Sequence, residues 1–237
     1  PIPELLQVLV KCSQCLSFAH TQGVIHRDMK PANIMIGDYG EIMVLDWGLA
    51  KVSNLRDDDE VDQLIRSGQQ TIPGRLTGRG DVQGTPFYMS PEQAVETGNV
   101  DERSDIFNMG VILFEVLTGQ SFMSGRNFRE IRRKLSDDPP RSPRTAAPER
   151  KISRELNAIC LKALQVSPDD RYQKMAHFEN DLRAALIGQP VSVYPESALQ
   201  KLLKSGNRQV LSPIAFLWMI TGALLVVIAQ ELATILF

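Results

Sequence analysis

The sequence predicts a mainly α domain of the α+β class with one small β-hairpin, followed by a single transmembrane helix. Apolar residues recur at helical spacing over residues 4–22, and short apolar runs flank a glycine-containing turn at residues 37–40. Residues 210–229 carry no charge, and about twenty such residues are enough for a helix to cross a bilayer. A length of 237 residues with 43% apolar and 23% charged residues is typical of one globular domain with a tail.

The first predicted elements are one helix and the hairpin. The helix over residues 4–22 ends at Gly23, because glycine readily adopts the conformation that terminates a helix. Two strands surround the turn, at residues 34–36 and 41–45. This arrangement should bring Asp28 and Asp46, which lie at the strand ends, close together.

Four further helices are predicted along the rest of the domain. The strongest covers residues 103–118, ends at Gly119 and is apolar over most of its circumference, so it should lie at the centre of the domain. Ser153, with Glu155 near the helix start, is an N-cap signal. The remaining predictions are a basic helix at 127–135, a proline-rich loop at 139–148, and helices at 153–166 and 174–187.

The predicted domain boundaries are a folded domain at 1–187, a juxtamembrane linker at 188–209, the transmembrane helix at 210–229 and a short, truncated tail at 230–237. Lys201, Lys204 and Arg208 precede the apolar segment and only Glu231 follows it, which leaves the domain in the cytoplasm by the positive-inside rule. A buried core helix is the alternative interpretation of that segment. Because the chain begins at Pro1 without a methionine, we expect it to be a fragment.

Charge and cysteine content argue against several classes of protein. A net charge of −2 gives no bulk electrostatic case for binding nucleic acid. Three cysteines do not make a disulfide framework, and they fit a reducing compartment. Cys12 and Cys15 have the spacing of a redox or zinc half-site, or of two small core residues one helical turn apart. The second interpretation is favoured because no other Cys/His pair completes a metal site.

The most informative feature is the pair of motifs His-Arg-Asp-Met-Lys-Pro-Ala-Asn and Asp-Trp-Gly, which occupy residues 26–33 and 46–48. They place two carboxylates, a lysine and an amide at the spacings that phosphoryl transfer needs. Asp28 can accept the proton of an attacking hydroxyl, and Lys30 can neutralise charge on the phosphate. Asn33 and Asp46 offer the oxygen ligands that Mg²⁺ prefers. An unrelated loop with scattered polar residues is the alternative.

These motifs resemble the catalytic loop and the metal-binding loop of the eukaryotic-type protein kinases. The resemblance covers residues 4 to about 187 and corresponds to the larger, helical lobe (the C-lobe) of that fold. It implies transfer of the γ-phosphoryl group of Mg-ATP to hydroxyl groups of protein substrates. Lys30 and Thr85 imply specificity for Ser and Thr. In Ser/Thr kinases, the threonine at the position of Thr85 contacts the residues matching Asp28 and Lys30 and shapes the substrate groove.

The resemblance also implies scaffold roles for several residues. Glu92, at the end of the activation segment, should pair with a buried arginine, and Arg171 occupies that position here. Asp105 should hydrogen-bond to the catalytic-loop backbone near His26 and Arg27. These residues are expected to position the site without taking part in the chemistry.

Arg27 in the catalytic loop implies regulation by phosphorylation. In kinases with this arginine, a phosphate on the activation segment pairs with it and orders that segment. Thr71, Thr77 and Ser67 are the candidate acceptors. Thr77 is preferred because it lies a few residues before Gly84.

Two departures from the family pattern matter. Trp47 replaces the usual Phe after the metal-binding Asp, so packing around that loop should differ. No glycine-rich loop and no Val-Ala-x-Lys strand precede residue 4, so the small lobe that completes the ATP site is expected to be missing. The chain alone should then bind ATP weakly and be inactive. The motif style otherwise looks like that of bacterial Ser/Thr kinases anchored by one membrane helix.

A membrane-anchored scaffold resembling a pseudokinase is the alternative function. The missing small lobe favours it, whereas Asp28, Asn33 and Asp46 argue against it, because a scaffold has no need of them. A small-molecule kinase is disfavoured by the intact protein-substrate segment at residues 85–92. The expected partners are protein substrates and membrane lipid around residues 210–229, and the resemblance also allows a homodimer that phosphorylates itself in trans.

Overall fold

The computed structural model describes residues 2–49, 51–52, 87–95, 99–125 and 128–194. Its helices are α1 (Ile2–Thr21), α2 (Glu102–Thr118), α3 (Phe128–Asp137), α4 (Pro143–Ala146), α5 (Arg154–Ala163) and α6 (Met175–Leu186). Its strands are β1 (Val24–Ile25), β2 (Ile34–Ile36), β3 (Ile42–Val44) and β4 (Lys51–Val52). Short 3₁₀ turns cover Pro31–Asn33, Trp47–Leu49, Pro148–Arg150 and Pro168–Asp170. The predicted mainly α fold with few strands is confirmed for these residues.

The first helix and the hairpin are found where the sequence predicts them. Helix α1 ends at Thr21, and Gly23 follows two residues later with a φ of +74°, the left-handed conformation that glycine tolerates best. Strands β2 and β3 pair antiparallel with Met35 opposite Met43. Strand β1 pairs antiparallel with β4, which the sequence did not predict. The two pairings surround the motif loops, because β1 ends just before His26 and β4 begins shortly after Asp46.

Helix α2 forms the centre of the core, as predicted from its apolar circumference. Asp101 caps its first turn by accepting the Arg103 N–H at 2.9 Å, and Gly119 ends it with a φ of +67°. Phe107 and Phe114 of α2 both pack edge-on against Phe122, with ring centroids 6.2 and 5.2 Å away. Helices α1, α5 and α6 all contact α2. The first turn of α2 is therefore held in place, and its residue Asp105 contacts the loop that begins at His26.

Two boundaries in the second half of the domain differ from the prediction. The N-cap signal at Ser153 is confirmed, because its Oγ accepts the Leu156 N–H at 3.1 Å. Helix α5 ends at Ala163 rather than near residue 166. Beyond that end, the side chain of Arg171 donates to the backbone carbonyls of Gln165 and Val166. The prediction of a continuous loop over residues 139–148 is wrong at α4, which begins at a proline, a residue favoured in the first helical turn.

The folded domain extends beyond the predicted boundary at residue 187. Val191 is buried in the core, and the N–H and Oγ of Ser192 both donate to Asp181 of α6 at 2.7 Å. The compact unit therefore continues through Tyr194. The predicted transmembrane segment, residues 210–229, lies outside the described residues. Within the described ranges, no helix combines the length and the apolar character that crossing a membrane requires.

The two cysteines of α1 lie in different environments. Cys12 is buried and Cys15 is exposed, so the interpretation of both as core residues is wrong for Cys15. Burial, with a smaller contribution from Cys15, raises the pKa of the Cys12 thiol to about 12. Burial also raises the pKa of Cys15 above its ordinary value. Both thiols therefore stay protonated at neutral pH, which makes them poor nucleophiles.

Candidate catalytic site

A buried carboxylate on α2 holds the backbone of the 26–33 loop. Asp105, 0% exposed, accepts the N–H of His26 at 2.9 Å and the N–H of Arg27 at 2.8 Å, one on each oxygen. His20 of α1 adds a third contact, with its Nε2 2.7 Å from Asp105 Oδ2. Because a carboxylate only accepts, this contact places the proton of His20 on Nε2. Helices α1 and α2 thus jointly fix the start of the loop.

His26 links the two motif loops. Its Nε2 donates to the carbonyl oxygen of Leu45 at 2.9 Å, and its Nδ1 accepts the backbone N–H of Asp28 at 3.2 Å. These partners assign the neutral Nε2-protonated tautomer. Trp47 packs edge-on against the imidazole at 4.7 Å between centroids, and its indole N–H donates to the Val44 carbonyl at 3.0 Å. The loop that carries Asp46 is therefore held against the loop that carries Asp28.

Two non-glycine residues of these loops adopt left-handed backbone conformations. Arg27 has a φ of +71° and Asp46 a φ of +60°. Such conformations cost about 1 kcal/mol or more each and persist where the surrounding structure holds them. At Arg27, the hydrogen bond to Asp105 is part of that restraint. The strained backbone therefore lies at Asp46, a candidate metal ligand, and at Arg27, which directly precedes Asp28.

Asp28, Lys30 and Asn33 form one contacting cluster. Lys30 Nζ donates to Asp28 Oδ2 at 2.6 Å. The amide nitrogen of Asn33 donates to the Asp28 backbone oxygen at 2.7 Å and to its carboxylate at 3.3 Å. Asp28 is 7% exposed and Asn33 is 5% exposed, so both are held rigidly. A carboxylate with a lysine and an amide beside it can accept a proton next to a positively charged group.

Asn33 and Asp46 supply oxygen atoms that suit a divalent cation. The Leu45 N–H donates to the Asn33 carbonyl at 2.8 Å, so the residue before Asp46 lies directly against Asn33. Because the Asn33 nitrogen donates to Asp28, its side-chain oxygen is the atom left to act as an acceptor. Asp46 is exposed, so its carboxylate can be reached from solvent. One amide oxygen and one carboxylate fit Mg²⁺, which completes its shell with water and phosphate oxygens. Among the described residues, no group of three His, Cys, Asp or Glu side chains could hold a metal alone.

A buried ion pair supports the segment after the candidate substrate region. Arg171, 1% exposed, donates from both terminal nitrogens to the two oxygens of Glu92, each at 2.7 Å. Ser104 Oγ donates to the same carboxylate at 2.6 Å. Burial raises the pKa of Glu92, but the hydrogen bonds and charge of Arg171 outweigh burial, so its pKa lies below the ordinary value. Glu92 is therefore ionised at neutral pH.

The structure brings most of the predicted site residues together and leaves some outside its described residues. The residues brought together are His26, Arg27, Asp28, Lys30, Asn33, Asp46 and Asp105, with Glu92 and Arg171 paired nearby in the fold. Thr85 and the candidate phosphorylation sites Thr71, Thr77 and Ser67 lie outside the described residues.

Sequence reasoning missed three residues that touch this network. His20 contacts Asp105, Ser104 contacts Glu92, and Gln93 donates to the Arg27 carbonyl. A lone histidine near the end of an amphipathic helix gives only a weak signal. Nothing in a single sequence distinguishes Ser104 or Gln93 from ordinary polar residues.

Comparisons with known proteins agree with this geometry. The family model described as "Protein kinase domain" matches residues 3–181. The chain is similar to Serine/threonine-protein kinase PknD of Protochlamydia amoebophila, with 36% identity over 189 residues, and to PknD of Chlamydia pneumoniae, with 34% identity over 196 residues. It is also similar to Serine/threonine-protein kinase PknB of Mycobacterium leprae, with 35% identity over 213 residues.

These matches cover most of this chain but a small part of the relatives. They span 79%, 80% and 89% of the chain, and 19%, 20% and 30% of the respective relatives. The shared region is therefore the domain that carries the motif loops.

Proposed function

The chain belongs to the protein kinase family, and from that membership we propose that the protein transfers the γ-phosphoryl group of ATP to Ser and Thr hydroxyls of protein substrates. The observation that carries the proposal is the contact cluster around Asp28. A buried carboxylate touches both a lysine and an amide, and its backbone is held on both sides. This is the arrangement that phosphoryl transfer to a hydroxyl requires.

Asp28 accepts the proton of the attacking hydroxyl as the new O–P bond forms, and the ADP oxygen leaves with the electron pair of the broken bond. Lys30, already 2.6 Å from Asp28, steadies the negative charge on the transferred phosphoryl group. Thr85 shapes the groove for the substrate hydroxyl. Since phosphoryl transfer depends on positioning and charge, the rigid loop is the main contribution of the protein.

Asn33 and Asp46 would hold Mg²⁺ through their side-chain oxygens. When bound, Mg-ATP supplies the phosphoryl group, and the cation neutralises charge on its phosphates. The donor set described above fits this role, because Mg²⁺ takes one or two protein oxygens and fills its remaining positions with phosphate and water. The exposed carboxylate of Asp46 and the buried amide of Asn33 would each contribute one oxygen ligand, one from each motif loop.

Regulation and location form the finer part of the proposal. Arg27 pairs with a phosphate on Thr77 or Thr71 and so connects phosphorylation of the activation segment to the catalytic loop. Residues 210–229 cross a membrane as one helix, and the kinase lobe lies on the cytoplasmic side. The uncharged apolar run and the basic residues before it support that location. Phosphorylation in trans would take place between two copies of the chain.

Phosphate incorporation tests the proposed function. The full-length natural protein is incubated with Mg-ATP and followed by intact mass, beside an Asp28→Asn variant that keeps size and hydrogen bonding but removes the base. We expect phosphate on the unmodified protein and none on the variant. No phosphate on either, or on a supplied protein substrate, would contradict kinase activity. Mapping the modified residues tests Thr77 and Thr71.

A further inference from the structure

We propose that Gln93 is a positioning residue for the reaction, because it holds the peptide unit that directly precedes Asp28 and ties it to residues 88–90. The inference rests on the proposed kinase function and extends it to a residue with no assigned role. Gln93 is half-buried in the turn after Glu92 and lies 66 positions from Arg27 in sequence. Its side chain directly connects these two parts of the chain.

The contact with the catalytic loop is short and directional. Gln93 Nε2 donates to the backbone oxygen of Arg27 at 2.5 Å. That oxygen belongs to the same peptide unit as the Asp28 N–H, which donates to His26 Nδ1 at 3.2 Å. Because a peptide unit is planar, fixing its oxygen and its N–H fixes the orientation of the whole unit. Gln93 and His26 together therefore fix the position of the Asp28 Cα, from which the catalytic side chain extends.

The same restraint acts on a strained residue. Arg27 has a φ of +71°, and its N–H is held by Asp105. Asp105 thus restrains the peptide unit before Arg27, and Gln93 restrains the peptide unit after it by donating to the Arg27 carbonyl. A left-handed arginine needs restraints on both sides, since otherwise it can relax by rotating one of its two peptide units. Release of the Gln93 contact would let the Arg27–Asp28 peptide rotate and displace the carboxylate.

The other end of Gln93 connects to the segment that follows the candidate substrate region. Its Oε1 accepts the Ser90 N–H at 3.0 Å and the side-chain N–H of Asn108 at 3.3 Å. The Asn108 amide nitrogen also donates to the Tyr88 carbonyl at 2.5 Å. The backbone of residues 88–90 is thus tied, through one amide, to the peptide before Asp28. A shift of this segment is passed directly to the catalytic carboxylate.

The chemistry of the amide gives a selective variant. Gln93→Glu keeps an oxygen that accepts from Ser90 and Asn108 but removes the N–H that donates to Arg27. It also places a negative oxygen against the Arg27 carbonyl, so that contact must open. Gln93→Leu removes all of these hydrogen bonds at similar size. Gln7→Glu, on the exposed face of α1, makes the same chemical change away from the site and serves as the control.

Two measurements on the full-length protein test the role. The first is steady-state kinetics with a peptide substrate, for which Gln93→Glu should lower kcat by about 10- to 100-fold, as expected for a displaced catalytic group. The KM values for ATP and peptide should stay within about twofold, since the binding groups remain. The second is amide hydrogen exchange, in which residues 24–33 should exchange faster in Gln93→Glu while α2 is unchanged. Gln7→Glu should match the unmodified protein in both.

The outcomes separate this inference from the proposed function. An unchanged kcat in Gln93→Glu overturns the inference, and so does faster exchange spread over α2, which would show a general structural role. If the unmodified protein has no kinase activity, the proposed function fails. The exchange comparison then still decides whether Gln93 holds the loop, because unchanged exchange at residues 24–33 would overturn that restraint.

Discussion

Arg171 and Glu92, 79 positions apart in sequence, form a bidentate ion pair with both N–O distances at 2.7 Å. The guanidinium also donates to the carbonyls of Arg103, Gln165 and Val166, and it stacks 4.9 Å above the Phe107 ring. One side chain therefore joins the end of the candidate substrate segment to the start of α2 and the end of α5. Since every donor is used, the pair serves as a structural junction.

Replacement of Arg171 by Met should destabilise the domain strongly. It leaves the buried Glu92 carboxylate without its partner and three carbonyls without their donor. Loss of one partner of a buried pair typically costs about 3–5 kcal/mol. The pair of Lys134 and Glu130, one turn apart on α3 with both side chains partly exposed, gives the control, because Lys134→Met should cost no more than about 1 kcal/mol. Urea unfolding measures both, and equal losses would contradict the role of the junction.

The lowered pKa of Glu92 predicts a contribution to stability that depends on pH. In the unfolded chain its pKa returns to about 4.3, so acid protonates the unfolded state first. The stabilisation is complete above that value and is lost as the pH falls through the lower pKa of the folded state. Free energies of unfolding from pH 7 to pH 3 should therefore fall more steeply for the unmodified protein than for Glu92→Gln. Parallel curves would show that this carboxyl is not responsible.

The sequence was a good guide where one local pattern determines the structure. Helix α2 is apolar on nearly every side, and the Gly-Asp-Tyr-Gly turn determines the hairpin, so both were predictable. The candidate site was predictable because Asp28, Lys30, Asn33 and Asp46 are the residue types the chemistry needs. Local patterns in one chain therefore located the loops of the site.

Features that depend on distant side chains could not be read from the sequence. Helix α5 ends at Ala163, and Arg171 binds carbonyls two and three residues beyond that end. The domain continues to Tyr194, with Ser192 bound to Asp181. Gln93 reaches a carbonyl 66 positions away, which no local pattern records. These contacts depend on tertiary packing between residues far apart in sequence, so no local sequence pattern predicts them.

Trp47 stands where the family usually has Phe, and substitution of this residue tests what the tryptophan contributes to stability. Its indole N–H donates to the Val44 carbonyl, and its ring packs against His26. Trp47→Phe keeps an aromatic ring beside His26 but removes the hydrogen bond, which should cost about 1 kcal/mol. Trp47→Leu also removes the aromatic contact and should cost about 0.5–1.5 kcal/mol more. Urea unfolding should rank the three proteins in that order, and equal stability of Trp and Phe would show that the hydrogen bond contributes nothing.

Asp105→Asn should lower kcat, because Asp105 positions the start of the catalytic loop. Asp105 accepts the His26 and Arg27 N–H groups on separate oxygens, whereas an asparagine offers one acceptor and turns an NH₂ group towards the other donor. The His20 contact also loses its charged partner. The start of the catalytic loop should then move, and a displaced Asp28 should lower kcat by about 100-fold.

The neighbouring N-cap gives the matched control for this change. Asp101 is half exposed, and asparagine is about as good an N-cap as aspartate, so Asp101→Asn should leave kcat within about twofold. Kinetics with a peptide substrate and urea unfolding are measured for both variants. A kcat that falls equally in the two would mean that the first turn of α2 matters as a whole. A fall confined to Asp105→Asn would instead trace the effect to the contacts of Asp105 with the catalytic loop and with His20, because Asp101 makes neither.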